Sequence, residues 1–211
     1  MEYLKIFNEE KEPIGIASRE EVHKKGYWHE TFQCWFISKC KDKWFVLLQI
    51  RSSNKKDYPN LIDITAAGHI MADEAVVDGV REIQEELGIN VKFNELISLG
   101  MIDYSVKHKN LIDNELANVF LYKSNHTFDD FTLQKEEVSG IVRIEFSSFY
   151  EFCTGMQEEV RIQGFVFNQK HDRVHINRIA KKHEFVPHER SYYETIARRI
   201  KEKIEEENEG R

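Results

Sequence analysis

The chain is poor in cysteine and proline, with three of each in 211 residues. Cys34, Cys40 and Cys153 stand far apart and form no C-x-x-C pair, so the short thiolate motifs for zinc or dithiol chemistry are missing. Reduced thiols in a cytoplasmic protein are the expectation. No apolar run approaches the roughly 20 residues that a membrane-spanning helix needs. The start, "MEYLKIFNEEKEPIG", lacks a secretion-signal pattern. Positive charge is also scarce: 30 Lys and Arg stand against 37 Asp and Glu, for a formal net charge of -7. Such a chain has no general attraction for a nucleic-acid polymer or an anionic membrane. A local basic pocket for a small anion remains compatible with this balance.

What is present is an ordinary globular composition, 41% hydrophobic and 12% aromatic, long enough for a real core. The pattern predicts an α/β (α+β) chain, mostly strands with a few helices packed on them. "YLKIFN" and "PIGIAS" read as a hairpin. In "SREEVHKKG", Ser18 and Glu21 have capping-box spacing and Gly26 supplies the stop. "TFQCWFIS" and "KWFVLLQIR" form a second hairpin pattern, and "LIDITAAG" another strand. Strands follow around "VKFNELISLGMIDYSV", "ELANVFLYKS" and "VSGIVRIEF". Signal weakens after about residue 156, where "VRIQGFVFN" is a candidate strand. "HERSYYETIARRIKEKIEEE" is an amphipathic helix with Tyr193, Ile196, Ile200 and Ile204 on one side. It is expected to pack on the body and is also a candidate homodimer element. The organisation expected is one domain over 1–211: a core of about 28–155, an N-terminal hairpin and helix, and a C-terminal helical extension.

The informative stretch is "AAGHIMADEAVVDGVREIQEELGIN", residues 66–90. Val76, Val80, Ile83 and Leu87 predict one helical stripe that Gly88 ends. Glu82, Glu85 and Glu86 then share the opposite face at i, i+3 and i+4. Three converging carboxylates repel one another, and Arg81 alone cannot neutralise them. Hard divalent cations such as Mg²⁺ favour such oxygen clusters and bridge them to phosphates. Gly68, just before, allows backbone to approach a ligand closely.

"REIQEELGI" resembles the distal half of the Nudix box, G-x5-E-x7-R-E-U-x-E-E-x-G-U with U a large aliphatic residue, and residues 81–89 match every fixed position. The proximal half departs: Gly68 and Glu74 keep their spacing, but six residues instead of seven separate Glu74 from Arg81. Asp73 would restore the seven, at the expense of the glycine. The resemblance implies the Nudix fold, a mixed sheet sandwiched between helices. It also implies cleavage of a diphosphate linkage in a nucleoside diphosphate derivative or related small molecule by metal-assisted attack of water. Mg²⁺ or Mn²⁺ would be held by Glu82 and Glu86, with Glu85 as ligand or base and the Gly68 carbonyl as a further ligand. Arg81 would orient the carboxylates.

More of the chain resembles the branch containing isopentenyl diphosphate isomerase. The matching residues are His29, Ala67-Gly68-His69 and Asp113-Asn114-Glu115. By that resemblance His29, His69 and the acids are candidates for substrate contact or a second metal site, and imidazole with carboxylate suits Mn²⁺ or Zn²⁺. Glu115 is also a candidate catalytic group. Ala67 stands where the isomerase has its cysteine, and a methyl group cannot transfer a proton, so hydrolysis is favoured over isomerisation; a non-catalytic Nudix ligand-binding module is the other alternative, and retention of all the distal box acids counts against it. Arg51, at a strand end, is a candidate phosphate ligand, and Glu136 and Glu137 are reserve candidates for a base.

Overall fold

The computed structural model describes residues 2–108, 111–168 and 170–209. Strands β1 (Tyr3–Phe7) and β2 (Pro13–Ser18) form the expected hairpin. Helix α1 (Arg19–Lys25) follows; the Ser18 hydroxyl accepts from the Glu21 amide, and Gly26 ends the helix at φ 71°. Then come β3 (Trp28–Cys40) and β4 (Lys43–Arg51). "LIDITAAG" breaks into two short strands, β5 (Ile62–Asp63) and β6 (Ala66–His69), because its halves pair with different partners, β4 and β3.

The expected single helix before Gly88 is also divided. Val76–Val80 is a 3₁₀ segment, and only Arg81–Leu87, α2, is α-helical. This accounts for the short box. Five 3₁₀ residues at about 2.0 Å each span roughly what six or seven α-helical residues span at about 1.5 Å. The tighter winding offsets the length of one residue, and Arg81 still reaches Glu74.

The remaining elements are β7 (Ile97–His108), β8 (Leu111–Lys123), β9 (Val138–Glu145), α3 (Phe146–Cys153), β10 (Glu159–Phe167), β11 (Arg173–Lys181) and α4 (Arg190–Glu209). Among the described residues eleven strands join one mixed sheet, with a main path β11-β10-β9-β4-β3-β1-β2. β8 runs parallel to β3 and carries β7 on its other side. Alternation along β3 sends Trp35 and Ile37 to the face covered by α3 and α4. It sends Phe32, Cys34 and Phe36 to the face covered by α2. Phe32 and Phe36 are fully buried, worth about 1.5–3 kcal/mol each. The sheet is thus sandwiched between helices, as the resemblance implied. On α4 it is Tyr192 that joins Ile196, Ile200 and Ile204 in the core, while Tyr193 is half-buried. Among the described residues no helix is long and apolar enough to cross a membrane.

Candidate metal and diphosphate site

The parity that buries Trp35 and Ile37 puts His29, Thr31 and Gln33 on the same face of β3, nearer its start. β8 repeats the pattern: Asp113 and Glu115 precede the buried Ala117, Val119 and Leu121. The strands are parallel, with His29 beside Glu115, so their polar ends coincide. β6 sets Ala67 and His69 opposite Gln33 and Thr31. Helix α1 contributes His23.

His23, His29 and His69 form a triangle with ring centroids 5.1, 5.2 and 5.3 Å apart. Nε2 of His23 and Nε2 of His29 each lie 3.5 Å from Asp113 Oδ1. One ligand atom from each histidine, and one from each of His29, Asp113 and Glu115, falls within 4.8 Å of the others in its group. Glu115 is held by Thr31 Oγ1 and Gln33 Nε2, both at 2.9 Å. Burial drives His23 and His29 down to about 4. It drives His69 well below its usual value, with His29 and Arg19 adding to the effect. The imidazoles are therefore neutral, the form that binds metals. Burial raises Asp113 to about 6, and burial followed by repulsion from Asp113 raises Glu115 well above its usual value. His23 Nε2, His29 Nε2 and Asp113 Oδ1 are buried and lack hydrogen-bond partners. Each such atom costs about 1–3 kcal/mol. These residues fit a cation.

The box glutamates form the second cluster. Arg81 Nε and Nη2 grip both Glu74 oxygens, at 2.6 and 3.0 Å. Nη1 donates to Glu82 at 2.5 Å and to Glu85 at 3.2 Å, and Nη2 also reaches the His69 carbonyl at 3.1 Å. Glu74, not Asp73, therefore fills the box position; the hydrogen bonds from Arg81 hold it below its usual value. The three acids do not share one solvated face. Glu85 is exposed, whereas Glu86 is only 5% accessible. Glu86 accepts from Gln49 Nε2 and the Ala67 amide, both at 3.3 Å. Burial, then the Glu82 charge, pushes its carboxyl up to about 8; burial and then Glu85 raise Glu82 despite Arg81. Two inward carboxyls whose ionisation is disfavoured by burial and by neighbouring carboxylates fit a divalent cation.

Both clusters open onto one cavity of about 350 Å³, whose walls include His69, Glu82, Glu86, Asp113 and Glu115. Glu137 lines it too, paired with Lys55, whereas Glu136 does not. Arg51 lines it, but its three nitrogens are engaged: Nη1 with Asp63 at 2.8 Å, and Nε and Nη2 with the Asp57 carbonyl. Holding a phosphate would require Arg51 to exchange these bonds. Sequence reasoning missed His23. Its only signal was a histidine six residues before His29, on a helix turned back toward β3.

No family model matches the chain. A Nudix hydrolase of Clostridium acetobutylicum, itself uncharacterised, is 41% identical over 199 residues, spanning 94% of this chain and 97% of that protein. The chain belongs to the Nudix family. Nudix hydrolase 3 of Arabidopsis thaliana is 31% identical over 159 residues, 72% of this chain but 20% of that longer protein. An isopentenyl-diphosphate Δ-isomerase of Aliivibrio fischeri is 30% identical over 142 residues, 66% of this chain and 78% of that enzyme. The fold is shared with a Deinococcus radiodurans protein (TM-score 0.54, 17% identity, 71% of this chain and 86% of that one). It is also shared with a MutT protein of Methanosarcina mazei (TM-score 0.52, 17% identity, 83% and 95%). In this Nudix chain the box is one residue short in sequence, and Arg81 nonetheless reaches both oxygens of Glu74.

Proposed function

We propose that the protein is a metal-dependent pyrophosphohydrolase that cleaves a diphosphate linkage in a nucleoside diphosphate derivative or related small molecule. The observation that carries this reading is the opening of Glu82 and Glu86 onto the same cavity as the histidine–acid cluster. Mg²⁺ or Mn²⁺ held by Glu82 and Glu86 would polarise the diphosphate and promote attack by water. Arg81 orients Glu82 and Glu85 by the bonds described and is itself fixed by Glu74. Glu85, at the cavity rim and hydrogen-bonded to Arg81, would serve as a further ligand or as the base. His23, His29, His69, Asp113 and Glu115 would hold a second cation, for which their donor set suits Mn²⁺ or Zn²⁺.

Isomerisation of an isoprenoid diphosphate is the second reading, favoured by the triangle of histidines beside Asp113 and Glu115. Ala67 counts against it, because its methyl carries no proton to the substrate carbon. The deciding experiment offers a panel of nucleotide and isoprenoid diphosphates with Mg²⁺ or Mn²⁺ to wild type and Glu86→Gln, following phosphate products and double-bond position. The expected outcome is hydrolysis that Glu86→Gln reduces about 100-fold or more, in the range of lost electrostatic catalysis. Equal activity in both proteins removes the ligand role of Glu86. Migration of the double bond without phosphate release establishes the isomerase reading.

A further inference from the structure

A second hollow, of about 600 Å³, lies beside the first and holds neither cluster. It is bounded by the end of α3, by the segment 182–188 and by the first turn of α4, with Tyr58 and Leu61 closing it ahead of β5. Hydrogen bonds fix these walls. The Lys182 amide donates to the Glu158 carbonyl at 3.1 Å, and the Val186 amide to the Ile62 carbonyl at 2.9 Å. The Tyr193 hydroxyl donates to the Val186 carbonyl at 2.9 Å, which ties the segment to α4. The hollow is therefore preformed, and its size lies within the roughly 300–1,000 Å³ of small-molecule pockets.

Its inner wall is apolar. Phe152, Cys153, Phe185 and Val186 are buried, and the rings of Phe152 and Phe185 stand 4.7 Å apart. Burial pushes the Cys153 thiol up, so it forms a neutral part of that wall. Water finds few hydrogen bonds in such a space, whereas an apolar body that fills it leaves water favourably. Tyr58, Val186 and His188 line this hollow and the diphosphate cavity alike. His188 Nε2 lies 2.9 Å from Asp63 Oδ1, and Nδ1 lies 3.0 Å from the Tyr104 hydroxyl. Asp63 and Tyr104 both line the diphosphate cavity, so the polar contacts of this partition belong to that side.

The exposed part of the lining is basic. Among the described residues, those around the hollow include Lys182, His183 and Arg190 and no aspartate or glutamate, in a chain with 37 acids against 30 Lys and Arg. Two acids approach from outside. Glu194 takes Arg190 Nε at 2.7 Å, and Arg190 Nη2 donates to the Thr154 carbonyl at 2.6 Å. Glu158 stands 4.0 Å from Lys182 Nζ, and that lysine side chain is 62% exposed. So loose a surface pair leaves the ammonium available to another anion.

We propose that this hollow is a second ligand site, which takes a small amphipathic anion. Its apolar body, aliphatic or aromatic, packs on Phe152, Phe185 and Val186, and its single charged head meets Lys182 and Arg190. The site stands apart from the diphosphate reading, because its occupation needs neither metal nor diphosphate.

The test is calorimetric titration of the full chain, with a chelator present, using decanoate, 2-naphthoate and decyltrimethylammonium. Expected is one carboxylate ion bound per chain, with the ammonium ion weaker by about ten-fold or more. The better of the two carboxylates tells an aliphatic from an aromatic body. Lys182→Glu, at an exposed position, should weaken carboxylate binding by about ten-fold. Leu61→Trp should abolish it by filling the hollow, with circular dichroism checking that the variant folds; if it does not, Lys182→Glu decides alone. No carboxylate binding, equal affinity for the ammonium ion, or wild-type affinity in Lys182→Glu overturns the proposal. Failure of the protein to hydrolyse any diphosphate would remove the hydrolase reading and leave each of these outcomes as decisive as before.

Discussion

The Glu82 carboxylate fills the space into which a side chain at residue 68 would grow: a β-carbon built on Gly68 would overlap it. A glycine is needed at the β6 position facing α2 because a box acid occupies the room. Gly68→Ala should displace Glu82 while leaving the sheet intact. The expected result is a loss of ten-fold or more in Mg²⁺-dependent turnover. The melting temperature should fall by only a few degrees, corresponding to about 1 kcal/mol or less. Calorimetry and a metal titration of the variant check it. Unchanged metal affinity would separate Gly68 from the site.

Glu86 ties stability to pH in the metal-free protein. Its folded pKa of about 8 lies above its ordinary 4.5. The folded state therefore holds a proton that the unfolded state has already lost. The contribution is fully present below about 4.5 and disappears as pH rises to about 8, with a size on the order of a few kcal/mol. Glu86→Gln should flatten that slope and raise the melting temperature at pH 8 in the presence of a chelator. Denaturant titrations from pH 5 to 9 measure both. An equal slope in wild type and variant would contradict the assignment.

The histidine–acid cluster should bind its own cation. Manganese titration followed by paramagnetic resonance is expected to give one ion fewer per chain for His23→Ala and for Asp113→Asn than for wild type. Binding at Glu82 and Glu86 should stay intact in both. Chelation should lower the wild-type melting temperature more than that of either variant, because a ligand bound only to the folded state stabilises it.

Arg81→Lys should lower activity despite preserving charge. Lysine cannot grip both Glu74 oxygens while also serving Glu82, Glu85 and the His69 carbonyl. A reduced kcat with near-normal folding by circular dichroism is the expected signature. Full activity would show that charge alone suffices.

These predictions divide by how local their residues are. Arg81, Glu82, Glu85 and Glu86 were legible as a cluster because helical spacing brings them together, but the burial of Glu86 beside an exposed Glu85 was not. His29, His69 and Glu115 were legible through family resemblance, and strand parity explains how they meet. His23 was not, because only the packing of α1 against the end of β8 brings it in. β11 was also missed: as an edge strand it buries little besides Ala180, so it lacks a clear alternation. Asp63, Tyr104 and His188 gave no sequence signal as a group, since two of the separations among them are 84 and 125 residues. Arg51 carried the right charge for a phosphate, but the neighbours that engage it were invisible.

The cavity also has an order of assembly. The cluster histidines and the box helix lie within the first 87 residues of the chain, Asp113 and Glu115 near its middle, and His188 and Tyr192 close to its end. Tyr192 hydrogen-bonds Gln33, which holds Glu115. A nascent chain therefore carries most of its metal ligands long before the residues that brace them have been made. Thr31 and Gln33 grip the Glu115 carboxylate from β3, and the last brace, from Tyr192 to Gln33, comes only with α4.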